Sequence, residues 1–217
     1  WPITKAKLKD IWSVMQLNKC LVLFVEGQTE VEFYKALIKY IRECHVDKKL
    51  EHKAIYRSID GIGGYKKEVN RIFLKEVLPK VEGYQITVAL CYDTDVFGYV
   101  QKPKINWKEV EKLLKDDGAH RVLHIKAEKS IEDWFLIDKE GIRRFLKLSS
   151  DIEPQGSNGY EKLKYLFRKA NKIYAKKGRE VNGLVQALDI GLISRGVTKS
   201  LDLLYKELGV RGGGINK

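Results

Sequence analysis

Three short stretches carry oxygen-bearing side chains close together. Glu26-Gly27-Gln28-Thr29-Glu30 sets two carboxylates four residues apart. Asp93-Thr94-Asp95 sets two carboxylates at alternate positions, and Ser130-Ile131-Glu132 does the same with a hydroxyl and a carboxylate. Paired carboxylates suit a hard divalent cation. Each stretch alone is ordinary: taken by itself, Glu26 reads as the first solvated residue after a strand. An EF-hand loop after Asp93 is excluded, because Phe97 and Lys104 stand where acids are needed.

The elements around these stretches place them at equivalent points. Cys20 to Val25 is an unbroken apolar run, short and rich in Val and Leu, which predicts a strand buried on both faces. Thr29 with Glu32 reads as a capping box, followed by Tyr34, Leu37, Ile38 and Ile41 at helical spacing. Further strands are predicted over Ala54–Ile59, Gln85–Tyr92 and Arg121–Ala127, with helices from Tyr65 to Pro79 and from Trp107 to Lys115. Ser130 with Asp133 forms a second capping box, so another helix starts just past a strand. Strand and helix alternate, which predicts an α/β fold with a parallel four-stranded sheet flanked by helices. In such sheets ligands bind outside the carboxyl ends of the strands, where all three stretches fall.

Other signals are weaker. Asp60-Gly61-Ile62-Gly63-Gly64 lies between a strand and a helix, but lacks the phosphate-loop and dinucleotide spacings, with Lys66 where a third glycine would be. It reads as a tight turn with close backbone approach. His120 and His124 have the zinc spacing of a helix yet fall on a strand, so packing or surface roles are expected.

The formal net charge is +12, unevenly distributed. From Lys139 to Lys217 there are 17 Lys/Arg against 8 Asp/Glu, whereas the first 138 residues hold 24 against 21. A basic end region points to a polyanionic partner. After the turn-rich stretch Ser149–Gly159, the residues Leu163, Leu166, Phe167, Ala170, Ile173 and Tyr174 form one apolar stripe. Lys162, Arg168, Lys169, Lys172 and Lys176 fall on the other side and are the nucleic-acid-binding candidates, with a simply solvated face as the alternative. Tyr160, Tyr165 and Tyr174 are candidates for stacking on bases, although Tyr174 also lies on the apolar stripe. Short helices are expected near Glu180–Leu188 and Thr198–Leu208. The division expected is a lead-in helix in 1–19, a catalytic domain in 20–148 and a basic helical region in 149–217. Cys20, Cys44 and Cys91 are odd in number and scattered, which suits a reducing compartment, so a cytoplasmic location is expected. The longest apolar run is too short to span a bilayer.

In this order, each at a strand end, the motifs resemble the Toprim domain shared by topoisomerases, bacterial primases, small ribonucleases and the overcoming-lysogenisation-defect (OLD) nucleases. Val25-Glu26-Gly27 is similar to the family's strand-one glutamate and Asp93-Thr94-Asp95 to its Asp-x-Asp, with a glycine-bearing turn at Gly61–Gly64 between them. Glu30 and Ser130-x-Glu132 resemble further metal-site positions of the OLD type. The resemblance spans about residues 20 to 138. Val96-Phe97-Gly98 stands where topoisomerases and primases carry an Arg-Glu-type segment, so the small nuclease branch, including antiphage effectors, fits better.

The resemblance implies a Mg²⁺- or Mn²⁺-dependent nuclease that hydrolyses phosphodiester bonds of DNA or RNA, tRNA included. It implies catalytic roles for Glu26, Asp93 and Asp95, and a metal set of Glu26, Glu30, Asp93, Asp95, Ser130 and Glu132. Glu26 would orient the attacking water and act as general base, with Asp93 as the central ligand. A partner ATPase or sensor protein is implied too, and the oligomeric state stays open. The competing expectations are a catalytically inactive Toprim-like module that binds nucleic acid or protein, and a small-molecule phosphotransfer protein.

Overall fold

The buried apolar run forms β1 (Lys19–Val25), and every residue from Cys20 to Val25 is inaccessible to solvent. The computed structural model describes residues 18–48, 50, 52–94, 105–175 and 179–211. β1 pairs in parallel with β2 (Lys53–Ser58) on one side and β3 (Gln85–Asp93) on the other, and β4 (Arg121–Ala127) pairs in parallel with β3. The four-stranded order is β2-β1-β3-β4, the parallel α/β sheet expected. Successive side chains of a strand point to opposite faces. Leu21, Leu23 and Val25 therefore enter one core, and Cys20, Val22 and Phe24 the other. Both faces being covered explains why β1 shows no polar alternation.

Helix α1 (Gln28–Cys44) follows β1. After β2 come α2 (Gly64–Lys67) and α3 (Val69–Ile72), continued by a π turn and a 3₁₀ turn to Lys80. Helix α4 (Trp107–Asp116) precedes β4. Then follow α5 (Ile131–Phe135), α6 (Lys139–Leu146), α7 (Gly159–Lys169), α8 (Arg179–Ala187), α9 (Ile190–Gly196) and α10 (Thr198–Glu207). Helices α2 to α4 cover the Val22 face. The Leu23 face carries α1 together with the helices after β4: Phe33, Leu37, Leu163, Phe167, Leu184 and Leu201 all lie in that core.

Two sequence expectations need correction. The Thr29–Glu32 capping box does not form. Gly27, in extended backbone, is the cap residue and offers no side chain, so Thr29 is buried inside the first turn. Glu32 instead accepts hydrogen bonds from Gln28 Nε2 (3.0 Å) and Lys35 Nζ (2.9 Å). The basic helix also ends early: α7 stops at Lys169, and Asn171 turns the chain with a φ of 55°. Lys172 lies beyond the helix. The lead-in helix expected before β1 lies outside the described residues apart from Asn18, whose carbonyl accepts the Gln85 amide at 2.8 Å. Among the described residues no helix is long and apolar enough to cross a membrane.

The amino edge of the sheet holds a buried polar network. Glu207, at the end of α10, accepts from Thr87 Oγ1 (2.7 Å) and Arg121 (3.1 Å), with the His52 ring 3.7 Å away. Burial alone would push the Glu207 carboxyl up, but His52, Thr87 and Arg121 together outweigh it and hold the pKa down to about 2. A depressed carboxyl pKa stabilises the fold at pH values above the unfolded pKa near 4.5, and this contribution is lost as pH falls toward 2. Glu207→Gln is expected to lose about 1–3 kcal/mol at pH 7 by urea unfolding. The gap to the wild type should narrow below pH 4, and an equal gap at pH 7 and pH 3 would contradict the network's role.

Candidate functional site

The parallel register brings the ends of β1 and β3 side by side, with Val25 opposite Cys91. Glu26 is the next residue after β1. Its backbone carbonyl accepts the Gly61 amide at 2.7 Å, and its Oε1 accepts the Asp93 amide at 3.0 Å. Asp93 closes β3, and its Oδ1 accepts the Ile131 amide at 3.0 Å, the first residue of α5. Glu30 lies in the first turn of α1 and is 5 % exposed. Glu26, Glu30 and Asp93 line one small pocket, floored by Tyr34 and Cys91 and flanked by Ala127. Three carboxylates from three elements thus meet at the carboxyl edge of the sheet, where sequence reasoning expected them.

Glycines make room for this meeting. A Cβ on Gly27 would sit 3.1 Å from Glu30 Oε2, a tight contact. A Cβ on Gly64 would lie 2.1 Å from the Ile59 carbonyl oxygen, so α2 can start against β2 only with glycine there. The glycine turn is the close backbone approach expected.

Beneath the carboxylates lies a layer of buried weak acids. The Tyr65 hydroxyl sits between the backbone carbonyls of Phe24 (3.1 Å) and Cys91. Burial pushes the Tyr65 hydroxyl well above its ordinary range, and Cys91 and Glu26 push it further. Tyr34 is raised by burial, then by Cys91, Asp93 and Glu30. The Cys91 thiol is raised chiefly by burial. All three stay neutral at physiological pH and add no charge under the acidic pocket.

Of the other expected site residues, Glu132 and Ser130 do not line this pocket. Glu132 is fully buried, and its Oε1 accepts from the Tyr174 hydroxyl at 3.1 Å. The Tyr174 hydroxyl is raised by burial first, then by Glu132, with Glu30 contributing next among the carboxylates. Tyr174 therefore belongs to the core, as its place on the apolar stripe suggested, and is not a stacking platform. Ser130 is committed to the cap of α5: it accepts the Asp133 amide (3.4 Å) and donates to Asp133 Oδ2 (2.8 Å). Asp95 lies outside the described residues. The buried Tyr34 and Tyr65 hydroxyls under the carboxylates were missed, because only their apolar periodicity is visible locally.

Among the basic candidates, Arg168 and Lys169 are exposed and Lys162 and Lys172 half-buried. Lys169 Nζ lies 5.3 Å over the Tyr165 ring and Lys172 Nζ 5.0 Å over Phe145. Lys176 lies outside the described residues. His124 packs as expected, between the Tyr92 hydroxyl (3.2 Å) and Glu111 (2.8 Å).

The acidic groups Glu26, Glu30 and Asp93 of the pocket offer carboxylate oxygens, the chemistry that Mg²⁺ and Mn²⁺ take. Among the described residues, however, no group of three or more His, Cys, Asp or Glu is spaced to hold a metal ion. No family model matches the chain, and no curated protein matches it. Among solved structures, the C-terminal region of the Xanthomonas campestris pv. campestris OLD protein is similar with a TM-score of 0.39 and 15% sequence identity. The likeness covers 90% of this chain and 98% of that one. At that score it bears on neither family nor function.

The hydrogen bonds separate two substitutions at Asp93. Asn keeps an acceptor for the Ile131 amide and relieves repulsion from Glu26 and Glu30. Ala relieves the repulsion but leaves that amide without its acceptor, at a cost of about 1–3 kcal/mol. In EDTA, Asp93→Asn is expected to melt at or above the wild type and Asp93→Ala below it. Equal losses in both variants would mean that the carboxylates do not repel one another.

Proposed function

We propose that this chain is a divalent-metal-dependent nuclease of the Toprim type that hydrolyses phosphodiester bonds in DNA or RNA. The observation that carries the reading is the meeting of Glu26, Glu30 and Asp93 in one pocket at the carboxyl edge of a parallel sheet. The order of the motifs along the chain supports it: Glu26, the glycine turn, then Asp93-Thr94-Asp95. Glu30 and Asp93, with Asp95 by the motif resemblance, would hold the ion. When bound, Mg²⁺ or Mn²⁺ supplies a Lewis acid for the phosphate and neutralises charge that develops on it.

The chain's own groups do the rest. The Asp93 amide holds one oxygen of Glu26 and so orients that carboxylate, which takes a proton from the attacking water. Water oxygen bonds to phosphorus, the P–O bond to the leaving nucleotide breaks, and the leaving oxygen picks up a proton. The Ile131 amide orients Asp93 in the same way. Glu132, anchored on Tyr174, backs the site from the core. Lys162, Arg168, Lys169, Lys172 and Lys176 contact the nucleic-acid backbone. An effector role in cytoplasmic antiphage defence, under control of a partner ATPase or sensor, follows from the motif resemblance.

One observation favours a second reading, a module that binds nucleic acid or protein and cuts nothing: the described acids are not spaced as a ligand set. Cleavage separates the two. Labelled DNA and RNA are expected to be cut with Mg²⁺ or Mn²⁺ and not with EDTA, and Glu26→Gln or Asp93→Asn should reduce cutting to background. Metal-independent cleavage, or full activity in both variants, would sink the nuclease reading. Neutralising Lys162, Arg168, Lys169 and Lys172 should lower the slope of log K against log salt by about 0.7–0.9 for each phosphate that is no longer paired. An unchanged slope leaves that face merely solvated.

A further inference from the structure

A second concavity adjoins the carboxylate pocket. It lies between the β4–α5 turn and the junction of α9 with α10, and is lined by Lys129, Trp134, Arg195, Thr198 and Lys199, together with the acids Glu128 and Asp133. The turn borders both cavities, since Ala127 and Ile131 on either side of it line the pocket. Asp133 is engaged by Ser130. Lys129, Arg195 and Lys199 are exposed, and among the described residues none of them sits in an ion pair.

Three further features mark this cleft. Lys129 has a φ of 64°, a conformation that glycine adopts freely and other L-residues rarely do. Its amide donates to Thr94 Oγ1 at 2.9 Å, one residue after Asp93, which ties the lysine to the acidic site. Helix α10 starts without a side-chain cap, because its cap residue is Val197, and Thr198 Oγ1 donates back to the carbonyls of Ser194 (3.1 Å) and Arg195 (2.9 Å). Amides at such a helix start favour an anion.

We propose that this cleft seats the phosphodiester backbone of the substrate strand next to the bond that is cut. Lys129, Arg195 and Lys199 pair with phosphate oxygens, and the first amides of α10 supply neutral donors. This rests on the nuclease reading of the adjoining pocket and assigns a strand path distinct from the α7 lysines. Lysine at a position suited to glycine is then explained, because its charge is needed where the turn meets both cavities.

The test is binding by fluorescence anisotropy in EDTA, so that no cleavage intervenes. Single-stranded RNA and DNA of one sequence are titrated against the full chain and against a K129Q/R195Q/K199Q variant, all exposed positions. The affinity for the preferred strand is expected to fall at least tenfold in the variant. The slope of log K against log salt should drop by about 2, from about 0.7 per paired phosphate on a single strand. The tighter of the RNA and DNA arms names the strand. Unchanged affinity and slope overturn the inference, and so does a mononucleotide that binds as tightly as the oligonucleotide. Cleavage by wild type and Asp93→Asn is measured separately, so a failed nuclease reading and a failed cleft are distinguishable.

Discussion

The arrangement depends on one hydrogen bond across the ends of two parallel strands, from the Asp93 amide to Glu26 Oε1. Parallel pairing sends every strand end to the same edge, and the β1–β3 register then sets Glu26 beside Asp93. Helix α1 must begin within a few residues of β1, which brings Glu30 to the same place, and Gly27 leaves room for its carboxylate. Like charges held this close oppose folding. The layer below does not add to them, because Tyr34, Tyr65 and Cys91 are buried and stay protonated.

The two edges of the sheet divide the work. At the amino edge, the carboxylate of Glu207 is satisfied by Thr87 and Arg121 and favours the folded state. At the carboxyl edge, the Asp93 and Ile131 amides orient Glu26 and Asp93. Converging like charge at one edge opposes folding, and the satisfied Glu207 at the other favours it.

The β1 core and the strand ends were legible because a strand buried on both faces leaves an unbroken apolar run, and Cys20–Val25 is one. Asp93 and Glu26 were legible for the same reason, each being the first acid after such a run. Contacts between residues far apart in the chain were not. Tyr174 reaches Glu132 across 42 positions, and only its place on an apolar stripe hinted that it was buried. The Thr29–Glu32 box failed because the helix starts one residue before Thr29, with Gly27 as its cap, which leaves Glu32 to Gln28 and Lys35. The reading of one basic helix past Lys169 failed because the apolar spacing runs on through Tyr174 although Asn171 has already turned the backbone. The cleft beside the pocket is built by a turn and a helix junction more than sixty positions apart, and has no local signature.

The most direct test of a shared carboxylate site is anomalous diffraction from crystals of the protein soaked in Mn²⁺. A Mn²⁺ peak within ligand distance of the carboxylate oxygens of Glu30 and Asp93 is the predicted result. Saturating Mn²⁺ with no peak in that pocket, or with peaks only elsewhere on the surface, would contradict it.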